Sequence, residues 1–400
     1  MTVLEPRDVP SLAAMLAKAN GERVALVPRG GGTRLDRGAR FSRGETTLSL
    51  AALPRDIEHC SGDLTATLSA SATIGEVNAQ LARAGQWLPV DPLFSDRSTI
   101  GGLVATNACG PARHRYGAPR DLIIGIDLAL ADGRTAKAGG RVVKNVAGYD
   151  LARLVCGSFG SLAVVTRATF RLVPLPPTAI TVEVTLPGES SEGTRRLAEA
   201  ALALAAQPLT PTAVELDVPS PRLLLRFEAT PAGADRQASA AVAFCAAAGL
   251  RADRIEDDRQ PAIWRDRATR IWRASRTGNE EHAVVRVSVL PTDVVAMLDV
   301  VGLETATHHV QWRASGHAVL GVFYLALDGP DEAQAAVITA LRQAVEARRG
   351  HAVVLAAGAG VTCLVDPWGD PGNAFRLMQA VKARFDPHGI LNPGNGPGGL

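Results

Sequence analysis

Three stretches of the chain combine glycine with small hydrogen-bonding residues beside apolar runs. The first, Pro28, Arg29, Gly30, Gly31, Gly32 and Thr33, follows the strand-like run Val24 to Val27. Glycine tolerates positive φ and lets foreign atoms approach the backbone, and successive N–H groups in turns of mixed hand form a concave anion site. This loop therefore suits a pyrophosphate without needing a lysine, although a flexible hairpin would use the same residues. The second, "STIGGLVATNACG" from Ser98 to Gly110, joins Thr99, Gly101, Gly102 and Asn107, side chains and bare backbone that suit a flat polar ligand edge. An ordinary tight turn is the alternative. The third runs from Lys144 to Thr166, with Gly157, Ser158 and Gly160 just before a strand-like run. No Walker-type Gly-Lys-Ser/Thr is present, and the single literal GxGxxG, Gly394 to Gly399, lies in the terminal tail with no helix after it.

Histidines are the next chemistry-bearing residues. His308 and His309 are adjacent, and on a strand they would face opposite sides. His317 precedes an apolar run and could reach a ligand from a second domain, whereas His114 stands among Arg113, Arg115 and Tyr116. Lys144, Tyr149 and Asp150 read as buried polar contacts that hold the third loop, and Cys109 and Cys156 as packing residues near the loops. No metal site is expected.

The elements that must position these residues fall into three blocks. Helix, strand and glycine loop come first: Pro10 to Ala19 is helical in pattern, Leu64 to Ala70 alternates as a half-buried strand, and Thr73 to Ala84 is a second helix. "DLIIGIDLALADGR" gives a buried strand that ends in an Asp132-Gly133 turn, a hairpin signal. Pro174, Pro176 and Pro177 then break the pattern. Strands alternate afterwards with helices from Gly193 to Ala206, Asp235 to Gly249, from Asp293, and from Asp331 to Arg348. A polar connector separates the two rounds, which suggests helices on one face of a mainly antiparallel sheet.

Composition narrows the class. Lys and Arg number 42 against 40 Asp and Glu, so the chain has no electrostatic footprint for nucleic acid. The longest apolar stretch, Ala240 to Leu250, falls short of the roughly 20 residues that span a bilayer. The N-terminus lacks a signal-peptide pattern, and the scattered Cys60, Cys109, Cys156, Cys245 and Cys363 suit free thiols in a reducing cytoplasm. They cannot ligate an iron–sulfur cluster of the clustered-cysteine type.

Taken in order, "VPRGGGTRL", "LPVDP", "STIGGLVATNACGPARHRYGAPRDLIIGIDLALADGR", "VVKNVAGYDLARLVCGSFGSLAVVTRATFRL" and "FDPHGILNPGN" resemble the flavin-binding family typified by vanillyl-alcohol oxidase, with its PCMH-type FAD domain. Within it they are most similar to the FAD-binding E subunit of bacterial glycolate oxidase. The resemblance is dense from Met1 to about Pro177 and resumes from Phe385 to Gly394. It implies an α+β fold: a two-subdomain FAD-binding domain over residues 1–177, an α+β cap over 178–355, and a segment over 356–400 that packs back on the FAD domain. Pro28 to Thr33 and Ser98 to Gly102 would hold the FAD pyrophosphate. Asp91, Pro92, Thr99, Gly101, Gly102, Ala105 and Asn107 would line the cofactor, with Gly157 and Ser158 in the third loop. Val164 and Val165 would meet the adenine side through their backbone, and Asn392 would sit near the flavin ring. Thr33 stands in a loop where many members carry the histidine that binds FAD covalently, so non-covalent FAD is expected.

The same resemblance implies a subunit that passes electrons from a small 2-hydroxy acid such as glycolate through flavin to an iron–sulfur subunit, alongside a larger flavin subunit. Such a protein would be cytoplasmic and would reach the inner membrane only through partners. One departure complicates this. Related dehydrogenases carry a "GDGNLH"-like segment and a later "EHG", whereas here "GAGVTCL", Gly358 to Leu364, places Cys363 where histidine would stand, and no "EHG" follows. No catalytic residue is therefore assigned from sequence. A non-catalytic assembly or electron-relay subunit that keeps the flavin fold is the alternative, and a solitary oxidase of another alcohol is a third possibility.

Overall fold

A computed structural model describes residues 2–33, 46–141, 148–186, 191–256, 258–272 and 282–400. The first subdomain is a parallel sheet ordered Val3–Leu4, Thr46–Ser49, Leu26–Arg29. Helix Val9–Glu22 covers it with Leu12 and Leu16. Its start is fixed by a capping box in which Asp8 accepts from the Ser11 amide at 2.7 Å.

The second subdomain is an antiparallel sheet ordered Ile57–Cys60, Thr65–Ser69, Val164–Arg171, Ile123–Ala129, Thr135–Gly139. The expected hairpin joins the last two strands, with Gly133 at φ 83° in the turn. Helix Ile74–Ala82 begins at a Thr73–Glu76 capping box and sends Ile74, Val77 and Leu81 into the core beneath that sheet. The second glycine stretch is more ordered than a loop, because Thr99 caps a short helix, Ile100–Thr106.

The cap is an α+β unit made of two β-α-β-β-α-β halves. The first holds strands Thr178–Thr185, Ala213–Val218, Arg222–Ala229 and Arg251–Ile255; the second holds His282–Ser288, Gln311–His317, Val322–Asp328 and His351–Ala356. Ala213–Val218 pairs antiparallel with Gln311–His317, which fuses the halves into one eight-stranded sheet. Four helices, Ser191–Ala205, Pro231–Ala247, Val294–Thr307 and Asp331–Glu346, bury one face of that sheet. Side chains alternate along each strand, so Val214, Leu216 and Val218 enter the helix-covered core while Glu215 and Asp217 face the other way.

The polar connector between the halves contains a further helix, Arg259–Ile271, which packs on Gln311–His317 and Val322–Asp328. Its Ile271, with Trp272, joins Val284, Ala326 and Ala356 on the sheet face away from the four helices. His308 caps the end of Val294–Thr307 and His309 follows at φ 55°, so neither is on a strand. The cap core continues through Ala357, Val361 and Val365, past the expected domain end, because helix Ala359–Leu364 packs on Asp331–Glu346.

The chain then returns to its start. Leu391 forms a parallel bridge with Leu26; the Leu26 amide donates to Ile390 O at 2.7 Å, and the Asn392 amide donates to Leu26 O at 2.8 Å. Buried Lys382 fixes this return through Nζ, which donates to Ser161 O, Leu391 O and Asp386 Oδ2 at 2.7–2.8 Å. Asp386 in turn accepts from the Ile390 and Leu391 amides.

Candidate active site

The triple-glycine loop and the turn before Ile100–Thr106 touch each other directly. A Cβ on Gly31 would lie 1.7 Å from Arg97 O, and one on Gly30 would lie 2.3 Å from Thr99 Oγ1. These two glycines are therefore needed for one loop to pack on the other. Gly102 differs: a Cβ there would meet Thr99 Oγ1 at 3.2 Å and otherwise open space. Between the loops runs a narrow groove lined by Pro28, Gly30, Gly31, Gly32, Thr33, Thr99, Gly101, Gly102, Ala105, Val164, Val165 and Asn392. The amides of Gly30, Gly31 and Gly32 make no main-chain hydrogen bond to another described residue, which leaves donors for an anionic ligand.

Several expected residues stand just outside this groove. Ser98 donates to Leu93 O at 2.8 Å and lies 3.3 Å from Thr33 Oγ1, tying the two loops together. The Arg29 guanidinium packs over Gly32. Asn107 ends Ile100–Thr106 at φ 49°, and its Oδ1 accepts from the Arg120 amide and Cys156 Sγ. The Gly157 amide donates to Val104 O, and Ser158 turns the chain behind Phe159 and Gly160, which do line the groove. Asn392 donates to Phe159 O at 2.7 Å. It thus lines the groove with the glycines and is absent from the wide cavity described below. Tyr149 is 91% exposed, contrary to the buried role expected of it. Asp150 caps helix Leu151–Val155, and Lys144 lies outside the described residues.

A second cavity, of about 350 Å³, shares Gly30, Gly31, Leu50 and Thr99 with the groove and Asp96 with a third. The third cavity, about 560 Å³, lies between the two domains. One wall is Asp91 to Asp96 with Cys109, Gly110 and Pro111; the other is the cap, through Glu215, Arg226, Trp264, Arg267, His317 and Tyr324. Asp91 and Pro92 line this space and not the groove. Both Asp91 oxygens accept from the Ala112 amide, and Arg226 approaches to 3.4 Å. Burial pushes the Asp91 carboxyl up to about 6, although Arg226 pulls the other way.

The cap contributes a network of buried charges at its central seam. Glu215 lies 2.5 Å from His317 Nδ1 through one oxygen and 2.5 Å from Arg267 through the other. Asp217 accepts from Arg267 Nε at 3.0 Å, from Arg222 at 2.9 Å and from Ser315 at 2.5 Å. Burial alone would raise both carboxyls, but Arg267 first, then His317 for Glu215 and Ser315 for Asp217, hold them below the usual carboxylate range. Arg226 stacks on Trp264, 4.8 Å from the ring centre. His114 stands half-buried nearby, and burial lowers its pKa against the opposing pull of Glu215.

Trp264, Arg267, Glu215 and Arg226 carried no signal in the sequence. Glu215 and His317 become neighbours only through strand pairing across the two halves, and helix Arg259–Ile271 is mostly polar. By contrast, the "GAGVTCL" segment supplies nothing here: Cys363 is exposed on helix Ala359–Leu364. Among the described residues no group of three or more His, Cys, Asp or Glu is arranged to hold a metal ion.

Residues 2–139 match the model of an FAD-binding domain, and residues 369–395 match the C-terminal domain of FAD-linked oxidases. The chain thus carries an FAD-binding domain and, near its other end, a short stretch similar to part of the C-terminal domain of FAD-linked oxidases. Its cofactor is FAD, and the described donors and bare backbone of the groove fit a pyrophosphate. The chain is 36% identical over 180 residues to glycolate oxidase subunit GlcD of Bacillus subtilis, covering 45% of this chain and 38% of that protein. It is 28% identical over 425 aligned positions to D-2-hydroxyglutarate dehydrogenase of Xanthomonas citri, covering 98% and 88%. Over 133 residues it is 36% identical to glycolate oxidase subunit GlcE of Escherichia coli, covering 32% and 38%. The match with either glycolate oxidase subunit thus spans well under half of that protein. Among solved structures, alkyldihydroxyacetonephosphate synthase superposes with a TM-score of 0.75 at 14% identity, over 100% of this chain and 77% of that one. A 4-ethylphenol oxidase from Gulosibacter chungangensis does so at 0.74 and 15%, over 98% and 88%. These likenesses establish a shared α+β fold. No described helix is long and apolar enough to cross a membrane.

Proposed function

We propose that this protein is an FAD-dependent oxidoreductase that oxidises the CH–OH group of a small 2-hydroxy acid. The observation that carries the reading is the glycine groove together with a cavity walled by Arg226, Arg265 and Arg267 with His317 among them, the two linked by an intermediate cavity that shares lining residues with each. Main-chain amides of the glycine loop suit the cofactor's diphosphate, and arginines suit a substrate carboxylate. When bound, FAD accepts two electrons and can release them singly. Pro28 to Thr33, the Ser98 to Gly102 turn, Ala105, Val164, Val165 and Asn392 would hold it; Asn107, Gly157 and Ser158 would act by shaping the backbone behind them. Thr33 offers no imidazole for a covalent bond, so FAD would be held non-covalently.

The similarity to proteins named as glycolate oxidase subunits favours work within a complex containing a larger flavin subunit and an iron–sulfur subunit that takes the electrons onward. A non-catalytic relay or assembly role is favoured by one observation: Cys363, expected from the sequence to stand in place of a catalytic histidine, is exposed and lines none of the three cavities. The test is an anaerobic visible spectrum of the FAD-loaded chain before and after addition of glycolate, D-lactate or D-2-hydroxyglutarate. Bleaching is expected with at least one of them; bound flavin that none of them reduces would favour the relay role.

A further inference from the structure

We infer that His317, held by Glu215 across the seam of the cap sheet, is the base that takes the hydroxyl proton in this reaction. The inference rests on the oxidoreductase reading above and assigns the catalytic role that sequence alone left open. Glu215 and His317 face each other in register on the one strand pair that joins the two halves of the cap. Both are almost wholly buried, at 2% exposure, yet both line the cavity shared with the FAD-binding domain.

A buried carboxylate is costly unless it is paired. Glu215 Oε2 accepts from Arg267, and Oε1 lies 2.5 Å from His317 Nδ1, a close contact outside hydrogen-bond geometry. Ser315 and Asp217 hold Arg267 from the neighbouring register position. A carboxylate oxygen this close to Nδ1 favours a proton there, because two lone pairs at that separation would repel, and this leaves the lone pair on Nε2. With Nδ1 turned to Glu215 and the ring lining the cavity, Nε2 is the nitrogen offered to a bound hydroxyl. The other charged groups around His317 are Asp91 and Arg226, ion-paired with each other, Arg267, and half-buried His114. None of these is as well placed: Asp91 accepts two bonds from the Ala112 amide, and the arginines carry no acceptor.

His317 Nε2 takes the hydroxyl proton, the C=O bond forms as the adjacent C–H bond breaks, and that hydrogen leaves with its electron pair to oxidised FAD. The hydroxy acid becomes an oxo acid, the flavin is reduced by two electrons, and the imidazolium beside Glu215 later returns its proton to solvent. Glu215 is a positioning residue in this scheme.

Two measurements test the assignment. In apoprotein labelled with 15N-histidine, the His317 signal, identified by its loss in His317→Gln, is expected to show the tautomer protonated at Nδ1, and Glu215→Gln is expected to change that pattern. A tautomer protonated at Nε2 would overturn the inference without touching the oxidoreductase reading. In FAD-loaded protein, His317→Ala and His317→Gln should retain flavin but slow anaerobic bleaching by the best of the three hydroxy acids by about 100- to 10,000-fold, and added imidazole should partly restore the alanine variant. Unslowed bleaching in both variants would overturn the role of His317 alone, whereas a wild-type flavin that no hydroxy acid bleaches would overturn both readings.

Discussion

The glycine groove and the charged seam of the cap solve different problems. The groove is assembled from a few short stretches, each contiguous in itself, so each loop carries its chemistry in its own sequence. Gly30, Gly31 and Gly32 lie together, and a short turn brings Thr99 onto Gly30. The seam is built from Glu215, Asp217, Arg267, Ser315 and His317, drawn from three elements spread across the cap. Main-chain recognition needs little more than the right loop, whereas side-chain chemistry in a buried site needs the whole sheet in register.

Four perturbations break or sharpen this contrast. Arg267→Met should have the largest effect, because it leaves Glu215 and Asp217 buried without their shared cation; about 3–5 kcal/mol of stability should be lost in urea unfolding. Restoration of part of that loss by adding Glu215→Gln would confirm that the uncompensated charge is the cause. Lys382→Met comes next, removing three charge-assisted bonds that hold the C-terminal return. A loss of about 2–3 kcal/mol is expected, together with weaker flavin binding, since Asn392 sits on that return.

Gly102→Val tests the groove itself. The added side chain enters open space beside Thr99, so FAD affinity should fall about 10- to 100-fold in a fluorescence titration while the apoprotein unfolds as before. Gly31→Val makes the matched comparison: its side chain would strike Arg97 O, so loop packing and apoprotein stability should suffer as well. Equal behaviour of the two variants would dissolve the distinction between packing glycine and groove glycine.

The smallest effect concerns pH. Glu215 and Asp217 sit below their ordinary values of 4.5 and 3.8, so the stability they contribute is present above those values and is lost as pH falls through their lower folded values. Asp91 has the opposite sign. Its folded pKa of about 6 lies above the ordinary 3.8, so its ionisation opposes folding and stability declines as pH rises between the two. Asp91→Asn should flatten that decline in thermal unfolding of the apoprotein, while Glu215→Gln should soften the loss of stability in acid.

Much of the FAD-binding domain was legible because its signals are local. The Asp132-Gly133 hairpin, the helix from Thr73 and the break at Pro176 and Pro177 each lie within a few residues, and each has a counterpart in the fold. The cap's helices were readable from their apolar faces. Helix Arg259–Ile271 was not: Pro261 and the many arginines make it read as a connector, because the cations it buries are satisfied by carboxylates more than 45 residues away. Tyr149 misled in the opposite direction, an aromatic taken as buried that lies 91% exposed. His317 was visible as a candidate, but its partner could emerge only from the pairing of Glu215 with it across two halves of one sheet.

Whether groove and seam form one active site is the claim on which everything else depends. A crystal structure of the FAD-loaded chain tests it most directly. The diphosphate is expected against Gly30, Gly31, Gly32 and Gly102, with the flavin ring in the cavity between Asp91 to Asp96 and the cap, facing Glu215 and His317. A ring held elsewhere, with the cap cavity left to solvent, would contradict the joint site.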